Sequence, residues 1–313
     1  MIVVCGEALV DFTPTRCGEG QAYLPHPGGS PYNVAVALGR LDAPVAFLGR
    51  ISRDSFGRVL RQHLAASRVD LRYLLEGPEP TTLAFVHMAE GTEPKFAFYG
   101  EGTADRQVHA EDLPASFPED VTALHCGSLS LVLEPIATAL DGLMRRERGK
   151  RLISLDPNVR PALIRDREAY RRRLEGWIGC ADLVKLSRAD LSWLYPGDPI
   201  DRAADRWRRT GAAVVVVTLG ENGAEGFGRA GAVRVPGIAV RVVDTIGAGD
   251  AFTAGLLAWL SRRSRLTRGD IERLSVGELT SALDYANRVA ALTTTRAGAE
   301  PPYRDEVEPS ETH

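Results

Sequence analysis

Lysine is almost missing from this chain of 313 residues: of 38 basic residues only Lys95, Lys150 and Lys185 are lysine, and the rest are arginine. With 41 acidic residues the net charge is −3, so no surplus of positive charge invites a nucleic-acid backbone or an anionic membrane. Cysteine is scarce as well. Cys5, Cys17, Cys126 and Cys180 are widely spaced, with no C-x-x-C pair and no histidines at ligand spacing. That excludes a disulfide framework and a structural zinc site, and reduced thiols are the pattern of a cytoplasmic protein. Long apolar runs are absent too: residues 212–217 and 256–260 are the longest, far short of a membrane span, and no targeting segment is expected at the N-terminus. No G-x-x-x-x-G-K-[ST] occurs, which excludes the phosphate-loop nucleotidases.

What is present is a globular composition, 44% hydrophobic and 25% charged, with 31 glycines and 19 prolines. Apolar β-branched runs at 121–126, 152–155, 182–185 and 214–218 read as buried strands. Between them helical periods fall near 134–148, 167–179 and 200–210. The alternation predicts an α/β fold, a doubly wound and mainly parallel sheet with helices on both faces and ligands at the carboxyl ends of its strands. The first part differs. A strand over 2–10 leads into a Gly- and Pro-punctuated segment, then a helix with Ser30 as N-cap, Pro31 in the first helical position and an apolar face over 33–41. Two β-like islands, 82–89 and 95–99, flank a hairpin connection at 90–94. These insertions predict a small β-sheet lid from residues 11–30 and 78–108 over a main domain of residues 1–10, 31–77 and 109–313.

The sharpest motif is VRVVDTIGAGDAFTAGLLAWL at 240–260: a β-rich strand, a Gly-rich turn, then a helix with Asp250 in its first turn. Backbone amides of Gly247, Ala248 and Gly249 at a helix N-terminus form an anion hole, because unpaired N–H groups and the helix dipole converge there. An acid in that place repels phosphate unless it accepts a proton, so Asp250 reads as a general base beside a phosphoryl acceptor. The plainer alternative is a tight turn with an ordinary helix-terminal acid. The turn is not a dinucleotide fingerprint, since Phe252 stands where the third glycine belongs. A second constellation, Gly28 and Gly29 with Asn33 and the upstream Asp11, supplies acceptors, donors and close backbone approach suited to a polyol. Its alternative is a turn cap, a bend and a helix-terminal Asn.

GGSPYNVAVALGRL followed by GRISRDSFG, and DTIGAGDAF near the C-terminus, resemble the two signature regions of the ribokinase-like (PfkB) carbohydrate kinases. The resemblance runs from GEALVDF at 6–12 to TRAGA at 295–299. It implies ATP-dependent transfer of the γ-phosphoryl group to a primary hydroxyl of a sugar. Asp250 would be the base, Gly247, Ala248 and Gly249 the anion hole, and Asp11, Gly28, Gly29 and Asn33 the sugar site beneath a closing lid. On the nucleotide side it implies Thr218, Gly220 and Gly223 beside the phosphates and ribose of ATP, and Asn287 near the adenine. Lys185, Ser187 and Asp190 stand where relatives carry an element tied to magnesium and phosphate. Asp190, shorter than the usual Glu, would act through water and Lys185 would neutralise phosphate, although Ser187 and Asp190 also have capping-box spacing. DPNVR at 156–160 resembles an element of the fructokinase and 2-keto-3-deoxygluconate kinase branch, with Arg160 meeting phosphate or an acidic group of the substrate, or else forming a structural salt bridge. Residues 295–299, with Arg296 and Gly298, resemble a potassium loop completed by Asp244 and Ile246, with Pro302 where many relatives have Ser. FAFYGEGTADR at 96–106 resembles the lid strand of bacterial fructokinases, with Phe98 packing on the sugar and Gly100 where keto-acid kinases usually place Arg. Fructose is the expected acceptor, ahead of 2-keto-3-deoxygluconate, another hexose or a nucleoside. A non-catalytic sugar binder is the alternative from another class, and a homodimer through the lid is expected.

Overall fold

Successive side chains of a strand point to opposite faces, and in β1 (Ile2–Cys5) they enter two different cores: Ile2 and Val4 one, Val3 and Cys5 the other. Such a strand is covered on both sides, as expected at the centre of an α/β sheet. The computed structural model describes residues 1–18, 20–87 and 95–308, without the side chains of His87, Lys95 and Phe96.

The chain continues through β2 (Leu9–Cys17), β3 (Gly20–Gly28), α1 (Ser30–Arg40), β4 (Val45–Ser52), α2 (Ser55–Ala66), β5 (Leu74–Gly77), β6 (Leu83–His87) and β7 (Lys95–Tyr99). Then strand and helix alternate as β8 (Ala123–Gly127), α3 (Ile136–Glu147), β9 (Leu152–Asp156), α4 (Arg167–Ile178), β10 (Leu183–Ser187), α5 (Arg188–Leu194), α6 (Ile200–Thr210) and β11 (Val214–Thr218). After β12 (Ala224–Gly228) and β13 (Gly231–Val235) come α7 (Ala248–Arg262), α8 (Arg268–Glu272), α9 (Val276–Thr294) and α10 (Arg304–Val307).

The large sheet has nine strands in the order β13-β12-β11-β10-β9-β8-β1-β4-β5. Strands β5 to β11 in that order are parallel, and β12 and β13 return antiparallel through connections too short for a crossover helix. Helices α1, α7 and α9 cover one face, and α3, α4 and α6 the other, where Trp177 and Trp207 are fully buried. Parallel register lines the strand ends along one edge: Gly127 lies opposite Asp156 and Ser187 opposite Thr218. Among the described residues no helix is long and apolar enough to cross a membrane.

The small sheet runs β3-β2-β6-β7. Asp11 pairs with Ala84 and Ala84 with Phe98, so these residues form one row on one face.

The fold class agrees with the expectation, and several boundaries do not. The strand expected over 2–10 breaks at residues 6–8, with β1 in the large sheet and β2 in the small one. The Gly- and Pro-punctuated segment, expected in the small β-sheet, is there a two-stranded ribbon containing Pro14, Pro25 and Pro27. Proline is tolerated there because β3 is an edge strand and β2 pairs with β6 only over 10–12, leaving Pro14 outside that ladder. Ser30 is not the N-cap. Gly29, at φ 104°, takes that place and Ser30 is the first helical residue. The connection expected at 90–94 lies outside the described residues.

Candidate active site

The edge where the parallel strands end and the Asp11–Ala84–Phe98 face of the small sheet enclose a cleft of about 790 Å3. The small sheet contributes Asp11 and Phe98, α1 contributes Ser30 and Asn33, and the segment after β9 contributes Asn158 and Arg160. Gly247, Gly249 and Asp250 complete it from the start of α7. The structure therefore brings together residues from both signature motifs.

Asp250 occupies the third position of α7, and only 6% of its surface is exposed. The helix opens on Gly247, which is left-handed at φ 76°; a Cβ there would lie 2.6 Å from that of Ala299. The first bond of the helical ladder is Ala251 N to Gly247 O, 2.8 Å, so the amides of Gly249 and Asp250 precede it. The Ala248 amide, expected in the anion hole, instead donates to Thr245 O at 3.3 Å, because the turn closes on itself one residue earlier.

Three neutral side chains donate to the Asp250 carboxylate: Ser30 Oγ to Oδ1 at 2.6 Å, Asn33 Nδ2 to Oδ2 at 2.9 Å and Asn158 Nδ2 to Oδ1 at 3.4 Å. Burial raises its pKa to about 6, while the Ser30 and Asn33 hydrogen bonds and the Lys185 charge oppose the rise. Asp11 is pushed to about 7, first by burial and then by the Asp250 charge, with Arg160 opposing. Two carboxyls near neutrality thus face one cleft.

Of the glycines before α1, Gly29 lines the cleft, and both are also required by their own surroundings. A Cβ on Gly28 would fall on the Asp11 carboxylate, and one on Gly29 would lie 2.8 Å from the Glu7 carbonyl. Phe98 belongs to a small apolar cluster with Leu9, Ala84 and Leu129 at the cleft wall. Arg160 turns back on its own loop, donating to the Asn158 carbonyl at 3.0 Å and to Asn158 Oδ1 at 2.6 Å. The structural salt bridge considered for it is not among its bonds. Gly100 faces Thr82 and Thr103, and its carbonyl accepts from Thr103 and Arg106.

Lys185, expected to neutralise phosphate, already has a carboxylate partner. Its Nζ is 2.7 Å from Asp156 Oδ2, both side chains are almost fully buried, and it also donates to the Gly249 carbonyl at 3.2 Å. A buried ammonium needs a carboxylate partner, and the neighbouring strand end supplies one. Ser187 and Asp190 form the capping box of α5 rather than an open ligand pair: Ser187 Oγ and N both donate to Asp190 Oδ2, and Val159 N donates to Oδ1 at 2.9 Å. Burial, then the Asp156 charge, raises the Asp190 pKa.

The remaining nucleotide candidates lie on the same sheet edge but do not line the cleft. Thr218 ends β11, and Gly220 and Gly223 follow with positive φ of 61° and 91°. Asn287 donates from Nδ2 to the Pro236 carbonyl at 3.0 Å. Asp244 ties two loops together, accepting from Ile246 N at 3.0 Å and from Gly298 N at 2.9 Å, whereas the Arg296 side chain turns away to Glu306 and Pro301. The structure thus joins Asp244, Ile246 and Gly298.

Sequence reading missed Ser30, Asn158 and Glu7 as site residues. Asn158 was visible in the D-P-N run, but its left-handed φ of 36° and its link to Asp250 were not. Glu7, buried at the break between β1 and β2, accepts from Ser30 N at 3.3 Å and from Ser130 N at 3.1 Å, and burial raises its pKa.

A buried carboxylate at a helix N-terminus, facing a polar cleft beside a small sheet, suits phosphoryl transfer to a hydroxylated small molecule. Comparison with known proteins places it further. The pfkB family carbohydrate kinase model matches residues 1–306, and the chain belongs to that family. It is 41% identical over 286 residues to a fructokinase of Rhizobium leguminosarum bv. trifolii, covering 91% of this chain and 87% of that one. The fructokinase of Xylella fastidiosa with bound ATP superposes with a TM-score of 0.89 at 30% identity, covering 98% and 96% of the two chains. A fructokinase double mutant from Vibrio cholerae O395 with fructose, ADP and potassium ion bound gives 0.83 at 32% identity, covering 95% and 93%.

The Lys185–Asp156 pair yields a stability prediction. Lys185→Met leaves Asp156 buried without its partner and should lower unfolding free energy by about 3–5 kcal/mol in urea titrations. A loss near zero would mean that water reaches the pair.

Proposed function

We propose that this carbohydrate kinase is a fructokinase, transferring the γ-phosphoryl group of ATP to a primary hydroxyl of fructose. The observation that carries the mechanism is Asp250, an acid buried in the cleft, held by neutral donors, on the first turn of a helix whose opening residues line the same space. The choice of fructose is supported by the relatives of that name.

In the proposed step the acceptor hydroxyl gives its proton to Asp250 as its oxygen bonds to the γ-phosphorus. The bond from phosphorus to the β–γ bridging oxygen breaks, and ADP leaves with that electron pair. The amides of Gly249 and Asp250, with the Gly247 turn, stabilise charge on the equatorial oxygens. Asp11 and the free carbonyl oxygen of Asn33 accept sugar hydroxyls, and Phe98 forms the apolar wall. Arg160 reaches the transferred phosphoryl group. The same guanidinium favours 2-keto-3-deoxygluconate as a second reading, since it suits a carboxylate; Gly100, which has no cationic side chain of its own, weighs against it. The small sheet acts as a lid that excludes water, built from 11–30 and 78–108 over the main domain.

ATP is proposed to lie along the strand ends past Ser187 and Thr218 to the turn at 220–223, with Asn287 on the adenine side. Lys185 acts on phosphate from below, through the Gly249 backbone. Among the described residues no group of three or more His, Cys, Asp or Glu side chains is arranged to hold a metal. Magnesium would enter with the phosphates, with Asp190 reaching it through water. A potassium site from Asp244, Ile246, Arg296 and Gly298 is supported by the bonds joining those loops and by the potassium-bound Vibrio structure. A cytoplasmic location is supported by four free thiols.

Coupled ADP release with Mg-ATP, with and without potassium, should show turnover with fructose above 2-keto-3-deoxygluconate, ribose and adenosine. Asp250→Asn should lower kcat by about 10²–10⁴-fold with little change in KM. Equal turnover in that variant would remove Asp250 from the reaction.

Because the base works ionised, kcat/KM for fructose should fall as pH drops through the coupled range of Asp250, about 6, and Asp11, about 7, and level off above it. A profile flat down to about pH 5 would contradict the buried carboxyl pair.

A homodimer through the lid is supported by its other face, where Phe12, Tyr23, Phe85 and Tyr99 form an aromatic cluster and Tyr99 is 65% exposed. Light scattering should give twice the chain mass for wild type and the monomer mass for Tyr99→Glu; a wild-type monomer at micromolar concentration would refute the dimer.

A further inference from the structure

Ser30 has no assigned part in the reaction, yet its hydroxyl makes the shortest hydrogen bond to the proposed base. The helix starts at Ser30 itself, after a glycine cap that has no side chain to offer. Its amide is held by Glu7 Oε1 at 3.3 Å, and Pro31 follows, so the residue is pinned from both sides. The hydroxyl, spared from capping, donates to Asp250 Oδ1 at 2.6 Å across a buried gap. An ionised carboxylate can only accept, and 2.6 Å is the length of a charge-assisted O–H···O⁻ bond. Asn158 adds a longer bond to the same oxygen, while Oδ2 has one amide donor, from Asn33.

We propose that Ser30 is a positioning residue of the phosphoryl-transfer site: its hydroxyl anchors Oδ1 of Asp250, keeps the carboxylate ionised, and leaves the more weakly solvated Oδ2 to take the proton of the acceptor hydroxyl. The proposal rests on the reading of Asp250 as base. Removing the hydroxyl takes away a stabilising donor while burial stays, so the base should become harder to ionise. The charges acting on Asp250 are Lys185 on β10 and Asp156 on β9; Asp11 on β2 faces it and itself feels Arg160 after β9 and Asp244 before α7, and the buried Glu7 holds the Ser30 amide. Ser30→Ala changes none of these charges and keeps the backbone N–H that bonds to Glu7, so only the hydroxyl bond to Asp250 is lost.

The test is the pH dependence of kcat and of kcat/KM with Mg-ATP and fructose for wild type, Ser30→Ala, Ser30→Thr and Asp250→Asn. In Ser30→Ala the acidic limb of both profiles should move upward by about one pH unit, so that the deficit is about fivefold near pH 6, approaches about tenfold below it and narrows as pH rises. Return of the limb toward its wild-type position in Ser30→Thr, which keeps the hydroxyl, supports the assignment. A limb that does not move in Ser30→Ala, or a deficit of the same size at every pH, overturns it in favour of a structural contact. The two readings fail separately. Fructose turnover retained by Asp250→Asn removes the base itself, whereas an inactive Asp250→Asn beside an unshifted Ser30→Ala removes Ser30 alone.

Discussion

A carboxylate kept out of water must be surrounded by donors, and Asp250 draws its donors from parts of the chain that are far apart. Ser30 and Asn33 come from the first helix and Asn158 from the turn after β9, while the acid itself stands near the C-terminal end of the sequence. Each donor requires a particular packing. Helix α1 must lie against α7, and β9 must end beside the N-terminus of α7. The parallel sheet meets both conditions, because its crossovers stack helices on its faces and bring the parallel strands to their ends on one edge.

Beneath that carboxylate lies a second charged pair with no access to solvent. Asp156 and Lys185 sit on adjacent strand ends and neutralise each other, and the ammonium spends a further bond on the Gly249 carbonyl. Thr253 closes the arrangement with bonds to Asp156 and to the same carbonyl. The orientation of the peptide that opens α7 is therefore held from below by a buried ion pair. The coupling works in both directions: the pair needs the helix above it to stay dry, and the helix mouth needs the pair to stay in register.

The break between β1 and β2 does comparable work for the small sheet. One continuous strand would have kept residues 9–17 in the large sheet, where the parallel neighbours are already in place. Instead the chain turns at Gly6, Glu7 fills the turn with a carboxylate bonded to Ser30 and Ser130, and Asp11 arrives on the face opposite the strand ends. Asp11 consequently comes close enough to Asp250 for that charge to raise its pKa.

The sequence alone determined what depends on neighbours along the chain. Strand and helix alternation, the Gly-rich turn at 247–249 and the acid in the first turn of the helix after it are local patterns, readable because periodicity and glycine's backbone freedom act over a few residues. The order of the two signature motifs also identified the family. Only the tertiary structure decided which side chains those elements would spend on one another. Lys185 gave its charge to Asp156 and Asp190 its oxygens to a cap, while Ser30 lost the cap to Gly29 and turned its hydroxyl to Asp250. A buried polar group takes whichever partner the packing brings within about 3 Å, and no pattern of residues along the chain records that distance.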